Sequence, residues 1–472
     1  MMRTGERWSK GLERLFLLYL FANPVLDILN GIYLYAVRTL AVAQPGWMAA
    51  LTPSLLLRMT LLGLMGLYIL LNRELLHILQ MLVLVLVGLL SVTCEIFLGA
   101  RYEFFADAQY IARFAYNIAA LAVFTRLLND PSRRDGAAVL LRRVFTWTAL
   151  LMAGSIIACF VLSSVLPIRL GFFASADRFG IRGSSGFYFA ANEAVAILML
   201  LLPVTLSDFF SAGGFRDRKN WPRLIAPAAV MNAMLLVGTK TAFVALAAGT
   251  VFVLAYQFIR AKRLKDRAVK RRCWRLIAVS LALFLMLSVF GMAQMVFSSI
   301  ARIGNIVEEE RTEDSFSYLE DDEQRWAWQN SHPILRVLLS GREYYLRKAG
   351  ENWAGDVRTV LFGIGRGTQA HIIEMDLFEM LFYYGLFGIV IMFFPFARRT
   401  FRLIRLPGKG LHRLSVLLAL VLTFGYAFIA GHVYFSVTGG FYYVLMILYG
   451  ELTFSAAENP APCETSEQSA PC

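Results

Sequence analysis

Arg260-Ala-Lys-Arg-Leu-Lys-Asp-Arg-Ala-Val-Lys-Arg-Arg272 lies between two apolar runs, 241–259 and 276–297. Each run has about the 20 residues that a helix needs to cross a bilayer. A basic block between two such runs reads as a short loop held on the cytoplasmic side. Nucleic-acid or anionic-lipid recognition is the competing reading of the block. Working outward, the same alternation recurs. Further candidate spans are 15–37, 50–71, 75–98, 105–127, 144–166, 187–207, 223–239, 375–396, 414–433 and 435–454, twelve in all. The composition agrees. The 472 residues are 58% hydrophobic with a mean hydropathy of +0.58, against about 45–50% apolar in soluble domains. The expected fold is an all-α polytopic membrane protein of about twelve transmembrane helices.

Lys and Arg set the orientation. With a cytoplasmic N-terminus, 29 of the 46 basic residues fall in the inner segments 1–14, 73, 126–143, 216–223, 260–275 and 398–413. The outer segments then hold fifteen, nine of them in one long loop, and Arg58 and Arg113 lie within helices. This bias in short loops predicts cytoplasmic N- and C-termini. The organisation expected is an N-terminal transmembrane region 1–297 of about nine helices and a large extracytoplasmic loop 298–374. A C-terminal transmembrane region 375–454 of about three helices and a cytoplasmic tail 455–472 follow. The N-terminal stretch, with Asn23, Pro24, Asp27 and Asn30 inside its apolar run, reads as the first span and not as a cleaved signal.

The net charge of +13 does not indicate nucleic acid, because the basic residues sit in short loops between apolar runs. The five cysteines form no CxxC pair, which gives no sign of a metal site or disulfide framework. Neither a hydrolase elbow nor a Walker-type loop is present. Gly363-Ile-Gly365-Arg366-Gly367 follows no strand and opens onto a membrane helix.

The predicted topology gathers unusual polar residues at the outer face. Asp177-Arg178-Phe-Gly-Ile-Arg182-Gly-Ser-Ser-Gly186 leads to Asn192 and Glu193 at the start of a span. Two arginines in a glycine-rich stretch beside a helix N-terminus suit an anion, since guanidinium forks match phosphate oxygens. An interfacial loop with snorkelling arginines is the competing reading. Glu193 needs a partner at that depth. Lys240, in Gly238-Thr-Lys-Thr241, is either a surface lysine or a further cation of the same site. In the long loop, acidic runs at 308–323 precede Trp326, Trp328 and Trp353, which suit either sugar stacking or an interfacial belt. The apolar spacing within 334–349 suggests a helix on the membrane surface, with Arg342 in its middle. Glu374-Met-Asp376-Leu-Phe-Glu379 then opens the next span. Carboxylates there either complement the helix dipole or act as a general base on a sugar hydroxyl. His371 and His332 are alternatives.

These motifs, in this order, resemble the bacterial O-antigen ligase/polymerase superfamily. They are Arg182-Gly183…Gly186-Phe187…Asn192-Glu193, Gly238-Thr-Lys-Thr241, Ser340-Gly341-Arg342 and Gly363-Ile-Gly365…Glu374-Met-Asp376…Tyr384-Gly385-Leu-Phe-Gly388. The resemblance spans roughly Arg178 to Gly388. It implies a GT-C-like integral-membrane glycosyltransferase in the bacterial inner membrane. Such an enzyme moves a glycan from an undecaprenyl-diphosphate carrier to an acceptor hydroxyl on the outer face, without metal or cofactor. Arg182 and Arg342, assisted by Arg178 or Lys240, would hold the diphosphate. Glu374 or Asp376 would act as base, supported by Asn192, Glu193 and His371. Other polysaccharide assembly proteins would be partners. The ligases carry a catalytic histidine at the start of the helix after the long loop. This chain has Glu374-Met-Asp376 there, which favours a polymerase of a surface polysaccharide or exopolysaccharide. A lipid-linked oligosaccharide flippase or exporter is the main rival, and a structural protein of an export complex is a third reading. A transporter would show paired half-chains and midplane charges, and neither is apparent.

Overall fold

The computed structural model describes residues 2–38, 52–97, 104–173, 176–177, 180–181, 183–212, 217–308, 339, 342–367, 373–406, 410–429 and 431–455. Each expected span contains helix among the described residues. The helices are α1 (Met2–Arg38), α2 (Pro53–Leu71), α3 (Leu75–Phe97), α4 (Phe104–Asn129), α5 (Arg134–Val165), α6 (Ala191–Ser211), α7 (Trp221–Val237), α8 (Lys240–Arg263), α9 (Arg267–Ser288), α10 (Met292–Glu308), α11 (Arg342–Ala354), α12 (Val357–Phe362), α13 (Asp376–Arg405), α14 (Leu411–Ile429) and α15 (Val437–Ser455). Among the described residues, ten are long and apolar enough to cross a membrane, or eleven if α9 and α10 form one broken span. The expected count of twelve included α7, which has only 17 residues. The expected span 276–297 is also not straight. It bends by 96° between α9 and α10, at Gly291 with φ +95°.

Burial sorts the helices. α6 is the axis of the bundle, with Ala194 to Phe210 all buried. It packs against α5, α7, α8, α14 and α15. Helices at the periphery expose large apolar side chains instead, such as Leu75, Leu79, Leu82 and Leu89 on α3. In water that surface would be costly, and against lipid tails it is not. An ion pair lies inside the bundle. Arg58 on α2 donates to Asp27 on α1 and, at 2.9 Å, to Thr438 on α15. Removing one partner of such a pair strands a charge, at about 3–5 kcal/mol, so this pair fixes three helices at one level. Residues 172–186 contribute two short antiparallel pairs, Phe172–Phe173 with Ser184–Gly186 and Ala176–Asp177 with Gly180–Ile181. They sit at the end of the bundle where α6 and α8 begin.

α13 is not one continuous helix. Gly385 breaks it with φ +70° and ψ −172°. A break frees backbone carbonyls, which a bilayer cannot solvate. Here the glycine loop after α12 satisfies them. Ile364 N–H donates to the Phe382 carbonyl at 2.8 Å and Gly365 N–H to that of Tyr383 at 3.0 Å. Ser91 Oγ on α3 adds a third bond, to the Tyr383 carbonyl at 2.7 Å. The approach demands glycine on both sides. A Cβ at Gly385 would lie 2.3 Å from the Leu361 carbonyl oxygen, and one at Gly363 would lie 2.1 Å from that of Tyr383. The run Gly363-Ile-Gly365 is therefore a backbone clasp for a broken membrane helix. Its arm continues to Arg366 and Gly367, whose N–H groups donate to buried Asp107 at 2.8 and 3.0 Å.

Alanine at Gly385 combines left-handed strain with a backbone clash, and is expected to cost at least about 2 kcal/mol. Thermal unfolding of the detergent-purified protein should shift down for Gly385→Ala and Gly363→Ala. Gly154→Ala, on α5 with open space around it, should leave the midpoint unchanged or raise it.

Candidate functional site

The break leaves α13 with a short first half, Asp376 to Tyr384, whose N-terminus carries the expected carboxylates. Glu374 precedes it in a left-handed conformation, φ +59°, which is unusual for a residue with a side chain. That turn directs the Glu374 N–H to Glu379 Oε1, at 2.8 Å. Glu379 is completely buried, and its other oxygen accepts from Tyr110 on α4. Asp376 is also completely buried. Its Oδ2 accepts the backbone N–H groups of Val433 and Tyr434, the latter at 2.6 Å.

The loop between α14 and α15 brings those amides, and with them His432. His432 Nδ1 lies 3.1 Å from Asp376 Oδ1 and 3.5 Å from Glu379 Oε2. The loop is pinned from behind by Asn117, whose Nδ2 donates to the carbonyls of Tyr434 and Ser436 at 2.8 and 3.0 Å. Phe435 stacks on Tyr110 with centroids 4.4 Å apart. With both carboxylates at Nδ1, the proton of the neutral ring is held there, and Nε2 makes no hydrogen bond among the described residues. The imidazole is 23% exposed, so that nitrogen is the reachable one. Burial disfavours its charge, but the Glu379 and Asp376 carboxylates outweigh burial and push His432 from 6.5 up to about 9.

Arg342, the first residue of α11, is ion-paired with Glu374 and donates to the Leu339 carbonyl at 3.2 Å. It is 16% exposed and Glu374 43%. Lys240 lies within electrostatic reach of Arg342 and Glu343, and Tyr426 feels Arg342, Glu374, Asp376 and Glu193 together. The Tyr426 hydroxyl donates to the Asn192 carbonyl at 3.0 Å. The described part of the expected site therefore converges: Lys240, Arg342, Glu374 and Asp376 stand together, with Asn192 at its edge. Glu193, intermediate in burial, is within electrostatic reach of both the Asp27–Arg58 pair and Tyr426. Arg178, Arg182 and His371 lie outside the described residues, as do His332, the acidic run 309–323, Trp326 and Trp328. Trp353 packs its ring on Phe382 at 5.7 Å.

His432, Tyr110 and Glu379's bonding role were missed from the sequence. The apolar run 414–433 hid His432, because the run was read as helix to its end. The signal available was Gly431-His432 followed by Thr438-Gly439-Gly440, a polar and glycine-rich stretch where two spans adjoin. Asp376, Glu379 and His432 also present ligand atoms within 4.8 Å of one another, a donor set that a divalent cation could use. Their hydrogen bonds to one another, to Tyr110 and to three backbone amides account for the same atoms without one.

A family profile described as O-antigen ligase like membrane protein matches residues 9–453. No curated protein and no solved structure matches the chain. The match extends well beyond the stretch Arg178 to Gly388 that carried the resemblance in sequence, and takes in Asp27, Arg58, Tyr110 and His432. The chain belongs to the family of O-antigen ligase like membrane proteins.

Proposed function

We infer that the chain is an integral-membrane glycosyltransferase that extends a cell-surface polysaccharide from undecaprenyl-diphosphate-linked units on the outer face of the bacterial inner membrane. The observation that carries this reading is the meeting of a partly exposed histidine, backed by two buried carboxylates, with Arg342 and Lys240. A donor diphosphate needs cations, and an acceptor hydroxyl needs a proton acceptor. Family membership supports glycan assembly. The charge bias of the short loops supports an outer-face site. Polymerisation is preferred to ligation because the start of α13 carries Glu374-Met-Asp376 where the ligases carry histidine, although His432 reaches the same place from another loop.

The proposed step is a single displacement. The acceptor hydroxyl gives its proton to His432 Nε2 as its oxygen attacks the anomeric carbon. The bond from that carbon to the diphosphate oxygen breaks, and the electron pair leaves with the diphosphate. Arg342 and Lys240 stabilise the charge that develops there. The anomeric carbon inverts. Asp376 has no exposed surface, so in this scheme it positions His432 and holds the Nδ1 proton. Glu374, half-exposed, orients Arg342 and is the alternative proton acceptor.

Purified protein in nanodiscs, given undecaprenyl-diphosphate-linked repeat units, is expected to make longer chains. Transfer to a different acceptor would assign a ligase, and the absence of any transfer would overturn the enzyme reading. His432→Gln is expected to lower transfer by about 10²–10⁴-fold. Arg342→Ala should cost on the order of 10²-fold, with Arg342→Lys recovering part.

Because the base must be neutral to act, transfer should rise with pH, reach half its maximum near 9 and level off above that. Asp376→Asn removes a carboxylate that favours the imidazolium, so the rise should move to lower pH. If Glu374→Gln abolishes the rise and His432→Gln leaves it intact, Glu374 is the base. Stability carries the same signature with its own sign. A pKa raised on folding stabilises fully below about 6.5, and that stabilisation is lost as pH climbs through about 9. His432→Gln should therefore flatten the alkaline fall in the thermal midpoint.

A further inference from the structure

Asn192 and Glu193 stand in the first turn of α6, the axis of the bundle. Both are intermediate in burial. Only their backbone groups are bonded: the Glu193 N–H donates to the Ala190 carbonyl at 3.1 Å, and the Asn192 carbonyl accepts from the Tyr426 hydroxyl at 3.0 Å. Neither side chain makes a hydrogen bond or an ion pair among the described residues. The helix dipole favours a carboxylate at this position, but it uses none of the carboxylate's acceptor sites. Unpaired polar atoms sealed in the core, such as Asn23 Nδ2 and Tyr188 Oη, are beyond the reach of a ligand. The side chains of Asn192 and Glu193 keep accessible surface.

Packing decides where that surface opens. α6 is enclosed by α5, α7, α8, α14 and α15, and it is buried from Ala194 to Phe210. Surface left on its first turn therefore opens at the end of the bundle and not sideways onto lipid. Tyr426, in the last turn of α14, joins this place to the candidate site. Its hydroxyl holds the Asn192 carbonyl. Its ring lies so close to Gly431 that a Cβ there would clash with it. One side chain thus separates Asn192 from the residue before His432. Tyr426 is within electrostatic reach of Arg342, Glu374, Asp376 and Glu193 alike.

The two flanks of Tyr426 differ in charge. On one flank stand the cations Arg342 and Lys240. On the other, Glu193 acts on Asp27 and Arg58, which are already paired with each other. The Glu193 carboxylate is therefore a surplus negative charge among the described residues, and it repels a diphosphate. Its two oxygens only accept hydrogen bonds, and the amide of Asn192 both donates and accepts. Together they suit a ligand that presents hydroxyl groups and keeps its phosphates at a distance. In the proposed transfer, the donor's reacting sugar is bonded directly to the diphosphate. The acceptor's terminal sugar is separated from its own carrier by the rest of the glycan unit.

We propose that Glu193 and Asn192 form the subsite for the acceptor's terminal sugar. Glu193 accepts hydrogen bonds from its hydroxyls, Asn192 bonds a neighbouring one, and the reacting hydroxyl is thereby turned toward His432. A site that hydrogen-bonds a substrate hydroxyl discriminates strongly against an analogue without it, so Glu193 sets which sugar is extended. That the bound sugar is an acceptor rests on the transfer reaction proposed above. That a phosphate-free glycan binds here does not.

The test uses the full-length protein in nanodiscs and two probes that divide the substrate. One is the oligosaccharide released from lipid-linked repeat units by mild acid, and the other is inorganic pyrophosphate. Binding is followed by ligand-observed NMR, on proton and phosphorus resonances respectively. Glu193→Gln is expected to weaken oligosaccharide binding by about 10- to 100-fold and not to weaken pyrophosphate binding. Arg342→Ala should do the reverse. In the transfer assay, Glu193→Gln should raise the KM for the repeat-unit acceptor by a like factor, with a smaller effect on kcat. The unaltered protein should lose the oligosaccharide once its hydroxyls are O-methylated, a comparison that needs no variant to fold. Equal binding of the native and O-methylated oligosaccharides overturns the proposal, whether or not transfer is observed. So does a Glu193→Gln protein that binds pyrophosphate and holds the oligosaccharide as tightly as the unaltered protein. Oligosaccharide binding that depends on Glu193, in a protein that performs no transfer, supports the glycan subsite and overturns the transfer reading instead.

Discussion

Two hydrogen bonds, from the amides of Ile364 and Gly365 to the carbonyls of Phe382 and Tyr383, hold open the break in α13. A bilayer has no water to take those carbonyls. Without the clasp, α13 would gain by closing into a continuous helix, and its first half would swing onto the axis of the second. The broken geometry sets where Asp376 and Glu379 stand relative to the α14–α15 loop. It also brings the arm 363–367 across to Asp107, linking α12, α13 and α4 at one level.

The carboxylates at the head of α13 are buried to different degrees, and this divides their work. Asp376 and Glu379, with no exposed surface, are filled by amides, a tyrosine hydroxyl and His432. Glu374, half-exposed, meets Arg342. The negative charge therefore acts through two cationic groups that reach solvent, one a histidine and one an arginine. Two of the three acids, Asp376 and Glu379, are hidden, while His432, Arg342 and Glu374 keep exposed surface. Within the bundle the same economy holds: Arg58 is matched by Asp27, with Glu193 nearby, and Arg399 by Glu451 at 3.0 Å.

Much of the fold was legible in the sequence because hydropathy acts locally. Each expected span contains helix, and the glycine run from 363 follows a helix, as its sequence context without a strand suggested. The bends at Gly291 and Gly385 were not legible. Glycine in a membrane helix is common, and only the neighbour that satisfies the freed carbonyls decides whether the helix breaks there. In the candidate site, Arg342, Lys240, Glu374 and Asp376 were found as polar residues out of place in apolar surroundings. His432 and Tyr110 were not: a tyrosine inside a span carries no local anomaly, and the only hint of His432 was the glycine-rich join between two spans at 431–440.

The sequence by itself determined that this is a many-spanning membrane protein, which loops carry its positive charge, and that its unusual polar residues gather between particular spans. These follow from transfer free energies, which sum along the chain. The tertiary structure decided the pairing of His432 with Asp376 and Glu379, which lie more than fifty residues away. It also buried Asp376 completely and left Glu374 half-exposed in an ion pair, although the two are adjacent but one in sequence. That distinction rests on which backbone amides a neighbouring loop presents, a property of packing that no local pattern of residues encodes.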